Sequence, residues 1–302
     1  MSAVGSIRAY MTVRPGRLTD AFRLFIAFAA SLLLKGVFPS RFRTVGLLVL
    51  GHRNLRVQVE NALFEVRPRT NDLDLVSAKH EPLTKRWFQP GANDVLIDVG
   101  SHIGAYAVVA ARRGALVFAV EPDPSNFAVL QKNVQLNRLG NVVLVPRAIS
   151  SRVGIVELSP AERWNTGSSS VVDPEDLSKR NMDLRTNLRV PSETLDNLVT
   201  AHRLGRIDWL KIDAEGHEIH VLEGARFALK VTQRIVLEVS RASRDRALAM
   251  LTDRGFYLVG VEEGDPTSNL FLAQRIREPS MALEMTPSMQ QEVQRNANPR
   301  GM

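Results

Sequence analysis

Short apolar runs alternate with amphipathic stretches along the chain from about residue 60 onward. Strands buried in a parallel sheet form near-continuous apolar runs, whereas crossover helices repeat apolar residues roughly every three to four positions. The alternation therefore predicts a mostly parallel sheet with helices on both faces. Strands are expected at 95–99, 116–120, 142–145, 209–212 and 235–239, with a closing antiparallel pair at 256–261 and 270–273. Helices are expected in an alanine-rich stretch ending at Arg112 and at 125–137, 194–201, 215–228 and 247–254.

Two regions depart from this alternation. Residues 150–190 are polar and rich in turn-forming residues, with one strand expected at 154–158, and insertions of this length often hold functional residues. The segment after residue 276 is poor in branched apolar residues and contains three prolines, so we expect it to be mobile. The chain thus divides into a helical N-terminal extension over 1–59, a globular domain over 60–276 and a tail over 277–302.

The N-terminal extension contains an apolar stretch at 24–34, flanked by Arg23 and Lys35, with Asp20 expected to cap the start of its helix. A membrane span needs about 20 apolar residues, so this stretch is too short to cross a bilayer. No small-residue cleavage site follows it, which argues against a signal peptide. Two interpretations stay open. The helix covers the domain or forms a homodimer contact, or it lies in a bilayer interface with arginines on lipid phosphates.

The charge is unevenly distributed along the 302 residues. The chain has 39 Lys and Arg against 32 Asp and Glu, a net charge of +7. Residues 1–56 hold nine of the basic residues and one acidic residue, so the rest is almost neutral. The basic character at residues 1–56 therefore bears on where the protein sits or assembles more than on a nucleic-acid partner for the whole protein. We expect a cytoplasmic protein, peripheral at the membrane if this segment binds lipid.

The chain has no cysteine, which excludes disulfides, Cys-ligated metal sites and thiolate nucleophiles. Its first candidate site is the run Asp-Val-Gly-Ser-His-Ile-Gly at 98–104, between a predicted strand and helix. A dinucleotide site would carry a further glycine between Gly100 and Gly104, and the Asp98 carboxylate would repel phosphate. A ligand with an ammonium group and no phosphate fits this turn better, and S-adenosylmethionine is such a ligand.

A second candidate is Glu121, at the carboxyl end of the next strand in the run Val-Glu-Pro-Asp-Pro. A carboxylate at this position can accept both ribose hydroxyls of a nucleoside. A solvated acid in an ordinary turn is the alternative, but the order and spacing of the two elements favour nucleoside binding.

The third candidate is the run Lys-Ile-Asp-Ala-Glu-Gly-His-Glu at 211–218, which again follows a strand. Ligands bind outside the carboxyl ends of strands in open α/β sheets. Its glutamates could simply favour a helix N-terminus. Lys211 is harder to explain in that way, because a lysine inside an apolar strand needs an anionic partner.

These three runs together resemble the FkbM-type family of S-adenosylmethionine-dependent methyltransferases. The family patterns Asp-Val-Gly-Ala-Asn-Ile-Gly, Glu-Pro-Asp-Pro-x-Asn-Phe and Lys-Ile-Asp-x-Glu-Gly-x-Glu are matched at 98–104, 121–127 and 211–218. His102 stands where the family usually has Asn. The resemblance covers roughly residues 72–273, so the N-terminal extension and the tail lie outside it.

The resemblance implies a Rossmann-like class I α/β fold, with a mostly parallel seven-stranded sheet and an antiparallel closing strand. It implies S-adenosyl-L-methionine as cofactor and O-methylation of a hydroxyl on a sugar, glycolipid or secondary metabolite. No metal ligand is assigned, and metal dependence stays open because the carboxylates of Asp213, Glu215 and Glu238 make a divalent ion conceivable. The expected cofactor residues are Asp98, Gly100, Ser101, His102, Gly104, Tyr106, Glu121, Pro122, Asn126 and Ala148. The expected acceptor residues are Asn165, Ser168, Ser169 and Lys211. The candidate bases are Asp213, which ends the strand nearest the expected acceptor, then Glu215, His217 and Glu238.

Two rival functions stay open. The high pI of about 10.1 suggests an RNA methyltransferase, although the near-neutral domain and the 6% of aromatic residues disfavour nucleic acid. A cofactor-binding module without catalysis is the other alternative.

Overall fold

A computed structural model describes residues 14–22, 25–26, 53–78, 80–159, 166, 170–172, 188–264 and 266–274. The predicted tail at 277–302 and most of the apolar stretch at 24–34 lie outside these ranges. Within them, no helix is both long and apolar enough to cross a membrane.

A seven-stranded sheet forms the centre of the protein. Its strands are β4 (Val95–Val99), β5 (Leu116–Val120), β6 (Val142–Val145), β11 (Ile207–Ile212), β12 (Thr232–Ser240), β13 (Phe256–Glu263) and β14 (Thr267–Gln274). They lie side by side in the order β13-β14-β12-β11-β4-β5-β6. Pairing is parallel from β12 to β6, whereas β14 is antiparallel to both of its neighbours. The predicted mostly parallel sheet with an antiparallel closing strand is confirmed.

The connections between these strands are mostly helical. The helices are α1 (Asp72–Val76), α2 (Pro82–Trp87), α3 (Ala107–Arg112), α4 (Pro124–Leu136), α5 (Leu195–Ala201), α6 (Glu218–Glu223) and α7 (Arg244–Thr252). Side chains alternate across β4: Leu96 joins the core on one face of the sheet, and Ile97 joins the core on the other. Both faces of the sheet are therefore covered.

One predicted helix is wrong. The sequence pattern predicts a helix over 215–228, but α6 spans six residues and a short 3-10 helix follows at Ala228–Val231. Glu215 and Gly216 both have positive φ, which an α-helix cannot include, so α6 begins only at Glu218. Gly224, directly after α6, packs closely against the backbone of Ser150. A Cβ at Gly224 would lie 2.2 Å from the Ser150 carbonyl oxygen.

A second, smaller sheet comes from the region that the sequence pattern leaves mostly irregular. Its strands β7 (Ala148–Ile149), β8 (Gly154–Ser159), β9 (Ser170–Val172) and β10 (Leu188–Glu193) lie in the order β7-β10-β8-β9. The predicted strand at 154–158 is confirmed as β8. Its partner β10 pairs with it in antiparallel register, and β10 was not predicted.

A hairpin connects the N-terminal segment to the domain. Strands β2 (Leu55–Val59) and β3 (Ala62–Val66) pair in antiparallel register, and β1 (Arg14–Pro15) pairs with β2. The amide oxygens of Asn137 and Asn133 accept the backbone N–H groups of Leu63 and Glu65 at 2.8 and 2.7 Å. The hairpin thus joins residues on both sides of the division predicted at residue 59, and that division stays a prediction.

Asp20 has a different role from the predicted helix cap. It lies within helical residues 18–22, it is buried, and its carboxylate accepts the backbone N–H of Arg56 at 3.2 Å. The carboxylate therefore ties the N-terminal segment to the start of the hairpin.

Candidate active site

The strand order reverses between β4 and β11, and a cavity of about 210 Å³ opens at the carboxyl ends of the strands there. Ligands bind at such a switch point in open α/β sheets, because the loops from the two halves of the sheet diverge. The cavity is lined by Asn71, Leu75, His80, Glu81, Val99, Gly100, His102, Val120, Glu121, Pro122, Asn126, Ala148, Ile149, Asp213, Ala214, Glu215 and Glu238.

The turn after β4 requires glycine at position 100. Gly100 has φ of +83°, and a Cβ there would lie 1.8 Å from the carbonyl oxygen of Asp213. The backbone N–H of Asp213 in turn donates to the Val99 carbonyl at 3.0 Å. The turns that follow β4 and β11 are therefore in backbone contact, and only glycine allows this approach.

The Asp98 carboxylate is buried beneath this turn. The side chain is 1% exposed, and neither of its oxygens has a hydrogen-bond partner among the described residues. Burial raises the pKa of Asp98 to about 6, and the nearby Lys211 cation opposes the rise. A buried carboxylate without a partner is costly, so the site favours a ligand that carries positive charge and hydrogen-bond donors.

Glu121 is buried at the end of β5, where its carboxylate accepts two backbone N–H groups. These come from His102 at 2.7 Å and Asp123 at 2.8 Å. Burial raises the pKa of Glu121 to about 8, while the two backbone donors oppose this. The raised pKa leaves this group largely protonated at neutral pH before a ligand binds, and two ribose hydroxyls that donate to it would stabilise its ionised form. The predicted ribose-binding role fits this geometry.

A polar network that the sequence did not predict lies beside Glu121. The Thr166 hydroxyl lies 3.0 Å from both Asn71 Oδ1 and Asp72 Oδ1 and donates its one proton to either of them, while the Thr166 N–H donates to Asn71 Oδ1 at 3.1 Å and the Thr166 carbonyl accepts the Asn126 amide at 3.0 Å. Its hydroxyl also lies 3.0 Å from His102 Nε2. Residue 166 thus joins side chains from three separate parts of the chain.

His102, the departure from the family pattern, belongs to this network. Arg67 forms a bidentate ion pair with Asp72, with two N–O distances of 2.8 Å, and lies 3.3 Å from the His102 ring. Burial lowers the pKa of His102 to about 4, so the imidazole is neutral at neutral pH. In this chain a neutral ring at position 102 therefore connects the cofactor turn to the Arg67–Asp72 pair.

Carboxylates gather at the other end of the cavity. Lys211 is 2% exposed and pairs with Asp213 at 2.8 Å, which supplies the anionic partner expected from the sequence. Burial acts to lower the pKa of Lys211, but the Asp213, Asp98 and Glu81 carboxylates outweigh it and raise the pKa above its ordinary value. The lysine is therefore charged, and it lies 5.0 Å from the centre of the Tyr106 ring.

Glu215 and Glu238 line the same end of the cavity. Burial and the Asp213 carboxylate raise the pKa of Glu215. The Asp213 carboxylate and burial raise the pKa of Glu238, whose side chain accepts the Thr267 hydroxyl. The raised pKa values leave both groups largely protonated at neutral pH, so either one must first lose its proton to act as a base.

Two cavity residues, His80 and Glu81, were missed at the sequence level. Glu81 has φ of +46° and begins α2, and its carboxylate accepts the Tyr106 hydroxyl and lies 3.7 Å from His80 Nε2. Burial acts to raise the pKa of Glu81, but His80, Lys211 and Tyr106 outweigh it and lower the pKa below its ordinary value. The only signal in the sequence was Pro82 at the first position of a helix, which marks a turn but no function.

The remaining predicted site residues fall into three groups. Pro122 and Ala148 line the cavity. Four others, Ser101, Gly104, Tyr106 and His217, lie outside the cavity lining. His217 is buried, and its Nε2 lies 2.9 Å from the Ser150 hydroxyl. Asn165, Ser168 and Ser169 lie outside the described residues. No group of three or more His, Asp or Glu side chains with metal-binding geometry occurs within the described part of the chain.

The strand order, the glycine turn and the acidic residues at the carboxyl ends of β4 and β5 define a class I S-adenosyl-L-methionine-dependent methyltransferase domain. Residues 98–258 match the family of the methyltransferase FkbM domain, and the chain belongs to this family. S-adenosyl-L-methionine is the cofactor of such domains. The residues present fit it, because Glu121 lines the cavity and can bind its ribose hydroxyls, and the buried Asp98 carboxylate lies just before the cavity-lining Gly100, although Asp98 itself is outside the cavity lining.

Curated relatives include three methyltransferases. The chain is 29% identical over 147 residues to the hexuronic acid methyltransferase AglP of Haloferax volcanii. This match covers 49% of this chain and 56% of AglP. It is 27% identical to the methyltransferase sdnD of Sordaria araneosa, over 55% of this chain and 74% of that protein. It is 35% identical over 65 residues to the tRNA (guanine(37)-N(1))-methyltransferase of Saccharomyces cerevisiae, over 22% of this chain and 13% of that enzyme. The match to AglP thus spans little more than half of that relative.

Proposed function

We propose that this protein transfers a methyl group from S-adenosyl-L-methionine to a hydroxyl oxygen of a sugar, a glycolipid or a secondary metabolite. The observation that carries the proposal is the group of carboxylates of Asp213, Glu215 and Glu238 at the end of the cofactor cavity. An alcohol must lose its proton as it attacks, and a base within hydrogen-bond reach speeds this step.

The bound cofactor supplies an electrophilic methyl group on a sulfonium centre. The chain's own task is to hold the acceptor oxygen in line behind that methyl group and to accept its proton. Asp213 is the first candidate for the proton acceptor because it ends β11 at the cavity and is held in place by Lys211. Glu238 is the second candidate, on the neighbouring strand β12. His217 is no longer a strong candidate, since it lies outside the cavity lining.

The charge of the cavity favours a neutral acceptor over an acidic one. Glu81, whose pKa is lowered, gives the cavity a negative charge, and Lys211 already pairs with Asp213, whereas the raised pKa values of Glu215 and Glu238 leave these two groups largely protonated at neutral pH. Carboxylates accept hydrogen bonds from sugar hydroxyls but repel another carboxylate. AglP is named for a hexuronic acid, and we propose that this chain differs by taking an uncharged hydroxyl compound.

The test of the base is the substitution Asp213→Asn. We expect turnover to fall at least about 100-fold while the dissociation constant of the cofactor changes little. Because Lys211 would lose its buried partner, the unfolding midpoint must be measured alongside, and Glu238→Gln provides a variant that leaves this pair intact. Glu263→Gln, outside the cavity, is the matched control. Full turnover of a folded Asp213→Asn protein removes Asp213 from the role.

The acceptor is tested by transfer of labelled methyl groups into a cell extract that is separated into lipid, glycan, small-molecule and RNA pools. Label in the first three pools supports the proposal. The match to a tRNA methyltransferase makes RNA the second candidate, and label in the RNA pool with steeply salt-dependent binding would favour it. Cofactor binding without label in any pool would favour a module without catalysis.

A further inference from the structure

We propose that the N-terminal segment binds an anionic lipid bilayer by lying in its interface with one apolar face. The face consists of Leu18, Phe22, Phe25 and Ile26, which are 92%, 66%, 66% and 38% exposed. Residues 18–22 and 25–26 are helical, and the spacing of these four residues places them on one side of a helix. Large exposed apolar side chains grouped in this way mark an interaction surface.

Basic residues accompany this face. Arg14 and Arg17 are exposed just before it, and residues 1–56 contain nine Lys and Arg against one acid. That acid, Asp20, is 4% exposed because its carboxylate points to the backbone N–H of Arg56. The segment's one negative side chain is therefore buried, whereas Arg14 and Arg17 are exposed.

An anionic bilayer suits this combination better than a second copy of the chain. Two copies would bring equally charged arginines together around the shared apolar face, which costs Coulomb energy. Lipid phosphates instead attract the arginines while the acyl region takes up Leu18, Phe22, Phe25 and Ile26. Each basic residue near an anionic surface strengthens binding by about fivefold.

The segment is also tied to the domain, so binding would orient the domain on the membrane. Arg14 and Pro15 pair with Gln58 and Val57 of β2, and the hairpin continues into Arg67, which forms the ion pair with Asp72 beside the cavity. A lipid-bound face at residues 18–26 would therefore be connected to the cofactor site through a few residues of paired strand.

The experiment is co-sedimentation of the full chain with vesicles. We expect binding to phosphatidylcholine vesicles that contain phosphatidylglycerol, weak binding to pure phosphatidylcholine, and a loss of binding as salt rises. The double variant Phe22→Ser/Phe25→Ser should bind at least about tenfold more weakly. The charge reversals Arg14→Glu/Arg17→Glu should weaken binding to the anionic vesicles by a similar factor.

The matched control is Tyr257→Ser/Leu258→Ser, which removes two exposed apolar side chains, 41% and 42% exposed, from another part of the surface. This variant should bind vesicles as the unchanged protein does, and all variants should unfold at a similar temperature. The proposal is overturned if the full chain ignores anionic vesicles at low salt, or if the control loses as much binding as Phe22→Ser/Phe25→Ser. If the full chain is a dimer that does not bind vesicles, and Phe22→Ser/Phe25→Ser makes it a monomer, the apolar face is a contact between copies and the proposal is wrong.

Discussion

The Asp98 carboxylate combines near-complete burial with two oxygens that lack partners among the described residues. In the unfolded chain this group ionises near its ordinary pKa of 3.8, whereas in the folded chain burial raises the pKa to about 6. Ionisation above about pH 4 therefore opposes folding, and the opposition grows until about pH 6. The difference corresponds to about 3 kcal/mol of folding free energy that is lost when Asp98 ionises. The ionised carboxylate can then pair with a cationic ligand.

We predict that Asp98→Asn separates these two effects. Without cofactor, the free energy of unfolding of the unchanged chain should fall between about pH 4 and pH 6. The fall in the variant should be smaller by about 3 kcal/mol. At neutral pH its affinity for S-adenosylhomocysteine should be at least about tenfold lower, because the ammonium group loses a charged partner. Denaturant unfolding at several pH values and titration calorimetry measure the two quantities.

The exposed Asp253→Asn serves as the control and should leave cofactor affinity unchanged. An Asp98→Asn protein with the same pH dependence of stability as the unchanged chain would show that another group carries the effect.

At the residue scale, the motif residues Asp98, Gly100, Glu121 and Asp213 could be placed at one edge of the sheet from the sequence, since each lies at or just after the carboxyl end of a strand with a clear apolar pattern. Glu81 could not, because its position depends on a left-handed turn that brings α2 across the end of the sheet. His217 lies outside the cavity lining, after Glu215 and Gly216, whose positive φ values the local pattern does not show; its catalytic role stays a prediction.

At the element scale, we predict that the turn after β4 forms only with glycine at position 100, because glycine has no side chain. Gly100→Ala should lower the free energy of unfolding by about 2 kcal/mol or more, since it combines a positive φ with a Cβ 1.8 Å from the Asp213 carbonyl oxygen. Cofactor binding should be lost as well, because the turns after β4 and β11 must separate. Denaturant unfolding and calorimetry measure both effects.

Gly91→Ala is the matched control for this turn. Nothing lies within 4 Å of a Cβ at Gly91, so this change should alter stability by less than about 0.5 kcal/mol. Equal effects of the two substitutions would mean that the contact between the turns is unimportant.

The accuracy of the strand predictions has a physical reason. Strands β4, β5 and β6 are short, continuous apolar runs with turn residues at both ends, and local pattern alone reveals them. Strand β10 contains Pro191, which argues against a strand, and β7 has two residues, so neither has such a signal. Their pairing comes from contacts distant in sequence, which no local pattern shows.

At the scale of the whole molecule, the hairpin β2–β3 bears on where the folded domain begins. We predict that a chain starting at residue 53 folds and binds cofactor, whereas a chain starting at residue 60 is strongly destabilised. The second truncation removes Leu55, Val57 and Val59, which are 1%, 0% and 6% exposed, and each loses about 1.5 to 3 kcal/mol of burial. Thermal unfolding of the two chains measures the difference. Similar midpoints would support the division at residue 59 that the sequence suggested.

Because the strand order reverses between β4 and β11, the site can form only after both strands have been synthesised. The Val95 N–H donates to the Asp208 carboxylate across 113 residues, and the cavity needs side chains from both strands' ends. A growing chain that has made every residue of the glycine turn still lacks Asp213 and Glu238. The cofactor can therefore stabilise the chain only after these residues have been made, and the earlier steps of synthesis must proceed without its help.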